Sequence, residues 1–187
     1  MAAELQLTPS QTVGPFFSIG LTWPDGPCAV PEGAEGSFWI RGRVLDGDGE
    51  GVPDAVVETW QADPEGRYRH PEDPRGARGD FRGFARSSTD ADGRFGVLTV
   101  KPGAVPGPAG TTQAPHLAVS VFARGLLNRV VTRIYFADEP ELNATDPVLQ
   151  SVPADRRGRL MAEPAPDGGY RFDVVLQGAD ETVFFAV

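Results

Sequence analysis

The chain has 187 residues, the usual length of a single domain, and a formal net charge of −9 at pH 7. An acidic chain repels phosphate backbones and anionic lipid headgroups, so binding to nucleic acids or to membrane surfaces is not expected. Its 23 glycines and 18 prolines favour a domain rich in β-strands and loops.

The cysteine content and the apolar segments bear on the compartment. Cys28 is the single cysteine and cannot form a disulfide within the chain, which argues against a small secreted scaffold. The first twelve residues lack the basic start and apolar stretch of a signal peptide. No apolar run approaches the roughly 20 residues that a membrane helix needs. We therefore expect a cytoplasmic protein without a membrane segment.

Residues 1–36 show neither a helical nor an alternating pattern, which predicts an extended N-terminal arm. The arm carries Phe16 and Phe17 in the stretch TPSQTVGPFF. Leaving both rings in water would be costly, so the arm must pack on a surface. That surface could belong to its own domain or to a partner chain, and the sequence is compatible with both.

From residue 37 onward the apolar residues recur with a period of two, which is typical of strands. Residues 37–187 are therefore predicted to form one all-β domain, a two-sheet antiparallel β-sandwich with long loops. A weak helical pattern lies within residues 145–162. The residues predicted to share apolar faces are Phe38, Ile40 and Val44, then Phe95 and Val97, then Leu117, Val119 and Val121.

Two connections between the strands stand out. Asp92 and Gly93 form a dipeptide typical of a hairpin turn between the strands on either side. Residues 69–83 form a loop rich in glycine and arginine. Long loops on rigid sandwiches often carry function, so we expect the same of this loop.

His116 opens the strand HLAVSVFARG and is a candidate metal ligand. Alternate side chains on a strand lie on the same face, so a His-x-His triplet would direct two imidazoles at one metal ion. Here Ala118 replaces the second imidazole with a methyl group. A metal site needs three or four protein ligands, and His116 with Tyr68 supplies two at most. On these residues alone, a structural histidine is the simpler interpretation.

Arg124 stands where the same strand runs out into a loop, in the motif FARG. A guanidinium at a strand end can hold a carboxylate through two parallel hydrogen bonds. Taken alone, a surface arginine remains the simpler interpretation.

A set of motifs spread along the chain resembles one enzyme family. In order they are TPSQTVGPFF, VETWQAD, GRYRH, TDADGRF, TVKPG, APH, FARG, TRIYF and YRFDVVLQGADETVFF. Together they closely resemble the intradiol ring-cleaving dioxygenases over essentially the whole chain. The arm motif, FARG and LQGADETVFF are specific, whereas TDADGRF and VETWQAD also suit related β-sandwich modules.

The resemblance implies a non-heme Fe(III) enzyme that opens the catechol ring of protocatechuate with O₂, giving 3-carboxy-cis,cis-muconate. Such enzymes are built from homologous alpha and beta chains, with the iron in the beta chain. Two tyrosinates and two histidines hold that iron, and an arginine assists. The four ligand positions fall on Tyr68, Val105, His116 and Ala118, and the arginine falls on Gln113. The resemblance therefore implies an alpha chain that holds no iron of its own.

In this family the alpha chain helps to complete the substrate pocket of the beta chain. The residues of its arm that do so fall on Thr12, Gly14 and Pro15, and a strand-end arginine falls on Arg124. Protocatechuate carries a carboxylate, and a pocket that excludes water must supply a cation or donors for it. Glycine in the arm lets the backbone approach a flat ring.

A different class of protein stays open, a non-catalytic β-sandwich binding or spacer module of the kind attached to carboxypeptidases. The stretches GRVLDGDGEGVPDAVVE, TDADGRF and VKPG would suit such a module. The arm motif TPSQTVGPFF and the arginine-rich loop have no role there.

Overall fold

A computed structural model describes residues 7–14, 16–77 and 79–186 of the chain. The short helices are α1 Phe17–Leu21, α2 Pro140–Asn143 and α3 Pro147–Ser151, with 3₁₀ turns at Pro108–Gly110 and Arg157–Leu160. The strands are β1 Phe38–Leu45, β2 Val56–Trp60, β3 Phe84–Ser88, β4 Arg94–Thr99, β5 Val105–Pro106, β6 Thr112–Gln113, β7 His116–Phe122, β8 Val130–Phe136, β9 Met161–Pro164, β10 Tyr170–Arg171 and β11 Val174–Val175. Among these described residues, no helix has the length and apolar character needed to cross a membrane.

The strands form one curled, nearly closed sheet, with β5 and β6 as a separate small ribbon. The all-β prediction is confirmed, but the prediction of a two-sheet antiparallel sandwich is wrong in its detail. Strand β1 pairs antiparallel with β4 and parallel with β10 and β11. Strand β9 pairs parallel with β8 and antiparallel with β10, so it joins the two halves of the sheet. Alternating side chains report which face is buried, and they do not report the direction of the neighbouring strand.

The core lies inside the curl, and the predicted alternation places it correctly. Ile40, Val44, Leu117, Val119 and Val121 are all buried in one apolar cluster. Phe136 and Phe172 join that cluster from the last third of the chain. Because the apolar residues of β7 face inward, the alternate residues of that strand face the outer surface, where the candidate site lies.

The backbones of β1 and the C-terminal strands approach each other closely at Gly42. A Cβ atom at this position would lie 1.7 Å from the carbonyl oxygen of Phe172. The N–H of Phe172 donates to the Arg41 carbonyl at 3.0 Å, between the β10 and β11 pairings. Glycine at position 42 is therefore required for β1 to bind both short strands.

The connection at Gly93 differs from the predicted hairpin. Strand β3 pairs with β2, whereas β4 pairs with β1, so the turn carries the chain from one half of the sheet to the other. The Asp90 side chain accepts hydrogen bonds from the N–H groups of Asp92 and Arg94 at 2.9 and 2.8 Å. The sequence correctly predicts a turn at Asp92 and Gly93, but a turn does not determine which strands pair.

The arm has a buried root and an exposed outer part. Ala29 and Val30 are buried, and the backbone of Cys28 forms an isolated parallel β-bridge with Leu98 of β4. By contrast, Phe16 and Ile19 are 77% and 74% exposed. The root thus packs on its own domain, while the helix α1 presents apolar side chains to the outside.

The weak helical pattern within residues 145–162 corresponds to α3 and the 3₁₀ turn after it. The Asp146 side chain accepts the N–H of Leu149 at 2.7 Å and so caps α3. Its other oxygen accepts the N–H of Ala114 at 2.8 Å, which ties the helix to the entrance of β7.

Candidate functional site

The arm and the end of β7 meet at Thr12. The backbone N–H of Gly125 donates a hydrogen bond of 2.8 Å to Thr12 Oγ1. Gly125 has φ of 90°, a left-handed conformation that glycine adopts without strain, so the chain turns directly after Arg124. Two of the residues that the family resemblance singles out therefore lie on segments that this hydrogen bond joins.

Gly14, two residues along the arm from Thr12, is exposed, and no heavy atom lies within 4 Å of the position that a Cβ would take. Its carbonyl accepts the N–H of Phe17 at 3.2 Å, at the start of α1. A flat ligand or a partner backbone could approach this glycine closely. Pro15 lies outside the described residues.

Asp54 holds Arg124 by one side of its guanidinium. Arg124 Nε lies 3.3 Å from one carboxylate oxygen of Asp54 and 3.0 Å from the other. Among the described residues, no hydrogen bond engages the terminal nitrogens of Arg124. Asp54 has φ of 55°, an uncommon conformation for a residue other than glycine. This arrangement fixes the arginine and leaves its outer edge available for a carboxylate.

The positions expected for two tyrosinate ligands lie beside a cleft of about 730 Å³, lined by Tyr68, Val105, Gln113 and other residues. The ring of Tyr68 stacks on Trp60 of β2, with centroids 6.0 Å apart and planes 11° from parallel. Burial raises the pKa of Tyr68, so its hydroxyl is protonated at neutral pH. Val105 is buried in β5 and ends in methyl groups.

His116 and Ala118 lie on one face of β7, opposite the core residues Leu117 and Val119, as the alternation predicts. The His116 ring is buried, and its Nδ1 lies 2.7 Å from the Ala114 carbonyl oxygen. Nδ1 therefore carries the proton that it donates, and Nε2 is left as an acceptor. In the register of the sheet, Ala118 lies directly between Trp60 of β2 and Arg133 of β8.

Arg133 brings a positive charge to this face. Its Nη1 donates to Gln113 Oε1 at 2.7 Å and to the hydroxyl oxygen of Tyr135 at 3.2 Å. The Tyr135 hydroxyl in turn donates to Asp146 at 3.0 Å. Within the described residues, no carboxylate lies within ion-pair distance of this guanidinium.

The electrostatics of the cluster follow from burial and from Arg133. Burial first, and the Arg133 charge second, lower the pKa of His116 to about 4. Burial also raises the pKa of Tyr135 well above its ordinary value. Both groups are therefore neutral at pH 7, and the cation that faces them is the guanidinium.

Ferric ion, which the family resemblance implies, does not fit these side chains. Of the four expected positions, Tyr68 and His116 carry donor atoms, whereas Val105 and Ala118 end in hydrocarbon. Among the described residues there is no group of three or more His, Cys, Asp or Glu that could hold a metal ion. The half-buried Arg133 adds a positive charge where a metal ion would need negative ligands.

Asp54 and Arg133 were not singled out from the sequence. Asp54 lies in a turn, VPDA, where aspartate is common without any functional role. Arg133 interrupts the apolar strand VVTRIYF, and that interruption is the one local signal that could have identified it. The sequence around Asp54 or Arg133 does not indicate the residue that each contacts, because both contacts join segments that are distant in the sequence.

Comparison with known proteins places these features in a family. The family model described as dioxygenase matches residues 14–178. The protocatechuate 3,4-dioxygenase alpha chain of Burkholderia cepacia is 45% identical, over 98% of this chain and 98% of its own length. The beta chain of the same enzyme from Burkholderia cepacia is 42% identical over 76% of this chain and 65% of its own.

A solved structure shares the fold. The dioxygenase domain of a dioxygenase–carbohydrate-binding protein fusion from Streptomyces sp. SirexAA-E superposes with a TM-score of 0.61 at 27% identity. The match covers 93% of this chain and 100% of that one. The curled mixed sheet is therefore an architecture that occurs in other dioxygenases.

Proposed function

The chain belongs to the intradiol dioxygenase family, and from that premise we propose that it is the alpha subunit of a heteromeric protocatechuate 3,4-dioxygenase. Such an enzyme breaks the ring bond between the two hydroxyl-bearing carbons of protocatechuate and adds both atoms of O₂ to give 3-carboxy-cis,cis-muconate. The observation that carries the proposal is a full-length match to an alpha chain, combined with a donor set that lacks two of four ligands.

We assign the Fe(III) to a homologous beta chain. The match to a beta chain at 42% identity supports a partner of the same fold. In this division of labour, the alpha subunit contributes no metal ligand to the reaction. Its own residues bind and orient the substrate and exclude water at the boundary between the subunits.

The outer part of the arm is the surface that we assign to the partner. Leu7 is 95% exposed, and Phe16 and Ile19 are more than two-thirds exposed. Several exposed apolar side chains on one segment favour a protein interface there. The arm thus brings Thr12, Gly14 and Pro15 to the partner chain.

Arg124 is the residue that we assign to the carboxylate of the substrate. Asp54 holds its Nε, and the hydrogen bond between Gly125 and Thr12 keeps the arm beside it. A guanidinium held on one edge can present its terminal nitrogens to a carboxylate as a pair of parallel donors. Protocatechuate carries such a carboxylate, whereas catechol does not.

The test is to express the chain alone and together with a beta chain that carries both tyrosines and a His-x-His triplet. Iron content, oxygen uptake with protocatechuate and oligomeric state are measured for both preparations. We expect iron and ring cleavage from the co-expressed complex and neither from the lone chain. Stoichiometric iron in the lone chain would refute the proposal. A chain that stays monomeric beside the beta chain would instead favour the non-catalytic spacer module.

A further inference from the structure

Arg133 lies among the positions that hold iron in the family resemblance. Across the sheet, Ala118 is the direct neighbour of Arg133, and His116 is the direct neighbour of Tyr135. Cβ atoms of directly opposed residues on antiparallel strands lie about 4.5–5.5 Å apart. The methyl group of Ala118 leaves space that a long side chain from position 133 can cross.

The contacts of Arg133 extend to the β5–β6 ribbon, which carries Val105. Its Nη1 donates to Gln113 Oε1 at 2.7 Å, and Gln113 Nε2 donates to the Pro106 carbonyl at 3.2 Å. Gln113 is also the register partner of Val105 in the β5–β6 ribbon. The guanidinium therefore connects β8, which pairs directly with the strand that carries Ala118 and His116, with the ribbon that carries Val105.

The charge of Arg133 is felt by the two remaining donor residues. It opposes the burial that raises the pKa of Tyr68, and it adds to the burial that lowers the pKa of His116. In the described part of the chain this half-buried guanidinium has no carboxylate within ion-pair distance. Its hydrogen bonds go instead to an amide oxygen and a phenol oxygen, which are neutral acceptors.

We propose that the guanidinium of Arg133 takes the place of the metal ion in this chain. It is the fixed positive centre around which Gln113, Tyr135 and His116 are arranged. The proposal has a consequence beyond the missing ligands, because a ferric ion placed on this face would meet a cation already held there. Restoring the two absent donors would therefore not create an iron site while Arg133 remains.

This inference rests on the ligand positions of the proposed function, but it does not depend on the partner or the substrate. It is tested on the purified full-length chain with Fe(III) nitrilotriacetate as the probe. The starting variant is Val105→Tyr with Ala118→His, which restores the four-donor set. To it is added Arg133→Gln, or Arg129→Gln as a matched control that removes an exposed arginine four residues earlier. Circular dichroism checks the fold of each variant.

The readouts are the visible tyrosinate-to-iron charge-transfer absorption and the bound iron per chain. We expect no absorption band from the double variant or from its Arg129→Gln derivative. The derivative with Arg133→Gln should show the band and bind Fe(III) at least about tenfold more tightly. A band from the double variant with Arg133 intact would overturn the proposal, as would a folded Arg133→Gln derivative that gains no iron.

A second measurement covers the case in which the multiple variants fail to fold. Ala118→His and Arg133→Gln are made singly and together, and the unfolding equilibrium is measured in urea. An imidazole at position 118 competes with Arg133 for the same space. The factor by which Ala118→His raises the equilibrium constant for unfolding should therefore be at least about tenfold smaller when Arg133 is absent. Equal costs in both backgrounds would overturn the proposal. Absence of ring cleavage with a beta chain would refute the proposed function and leave these results unchanged.

Discussion

Replacing His116 by Asn tests whether the buried imidazole makes the stability of the chain depend on pH. Burial and the Arg133 charge hold the pKa of His116 at about 4, below the value of 6.5 for an exposed histidine. As the pH falls, the unfolded chain takes up its proton first. His116 therefore contributes stability that is fully present above about pH 6.5 and is lost as the pH falls towards 4.

The size of the effect follows from the two pKa values. The pKa of His116 is 6.5 in the unfolded chain and about 4 in the folded chain. At 1.36 kcal/mol per pKa unit, the free energy of unfolding falls by about 3 kcal/mol once the imidazole is protonated in both states. Between about pH 7.5 and about pH 5.5 the expected loss in the free energy of unfolding is about 1.3 kcal/mol. This range stays above the isoelectric point of 4.7, so the chain keeps its negative charge and its solubility during the measurement.

The assay is urea unfolding followed by tryptophan fluorescence at both pH values. In His116→Asn the amide can still donate to the Ala114 carbonyl, but it cannot titrate, so the variant should lose about 1.3 kcal/mol less than the wild type. His70 provides the matched control because its side chain is 53% exposed. His70→Asn should show the pH dependence of the wild type. If the wild type and His116→Asn lose the same free energy, the reasoning about the buried imidazole is wrong.

Further predictions concern the proposed pocket and the sheet. Arg124→Ala in the assembled enzyme should weaken protocatechuate binding by about 1.5–3 kcal/mol and leave catechol almost unaffected, as steady-state kinetics with both substrates would show; equal losses would contradict the carboxylate role. Asp54→Asn, which tolerates the same positive φ, should raise the KM for protocatechuate by up to about fivefold, since it removes a partly exposed ion pair worth at most about 1 kcal/mol. A KM unchanged by Asp54→Asn would show that Arg124 is held by other contacts. Gly42→Ala should destabilise the chain by at least about 3 kcal/mol in thermal unfolding, because its methyl group would overlap the Phe172 carbonyl; a smaller loss would mean that the two backbones separate easily.

The fold could be predicted from the sequence as far as its burial pattern. The alternation in β1 and β7 identified the buried residues Ile40 and Leu117, because side-chain direction on a strand is a local property. The parallel pairing of β1 with Tyr170 and Val174 could not be predicted, since these strands have two residues each and carry no periodic pattern. Which strands become neighbours depends on the path of the whole chain.

The candidate site, like the fold, could be predicted from the sequence only in part. The family motifs identify Tyr68 and His116. Tyr68 lines the cleft beside β5, and His116 is the first residue of β7. The contacts of Arg133 with Gln113, and of Arg124 with Asp54, join residues 20 and 70 positions apart in the sequence. Such contacts between distant segments leave no local pattern, so only the folded chain reveals them.

The parallel pairing of β1 with the last short strands has a consequence for synthesis of the protein. Residues 38–45 leave the ribosome well before Tyr170, Arg171, Val174 and Val175, which pair with them. Until then one edge of β1 lacks its partners, and an unpaired edge is prone to join another chain. We therefore expect nascent chains to need protection by chaperones until residues 170–175 have emerged. Ribosomes stalled before residue 170 should carry chains that are sensitive to protease, whereas the released protein resists digestion.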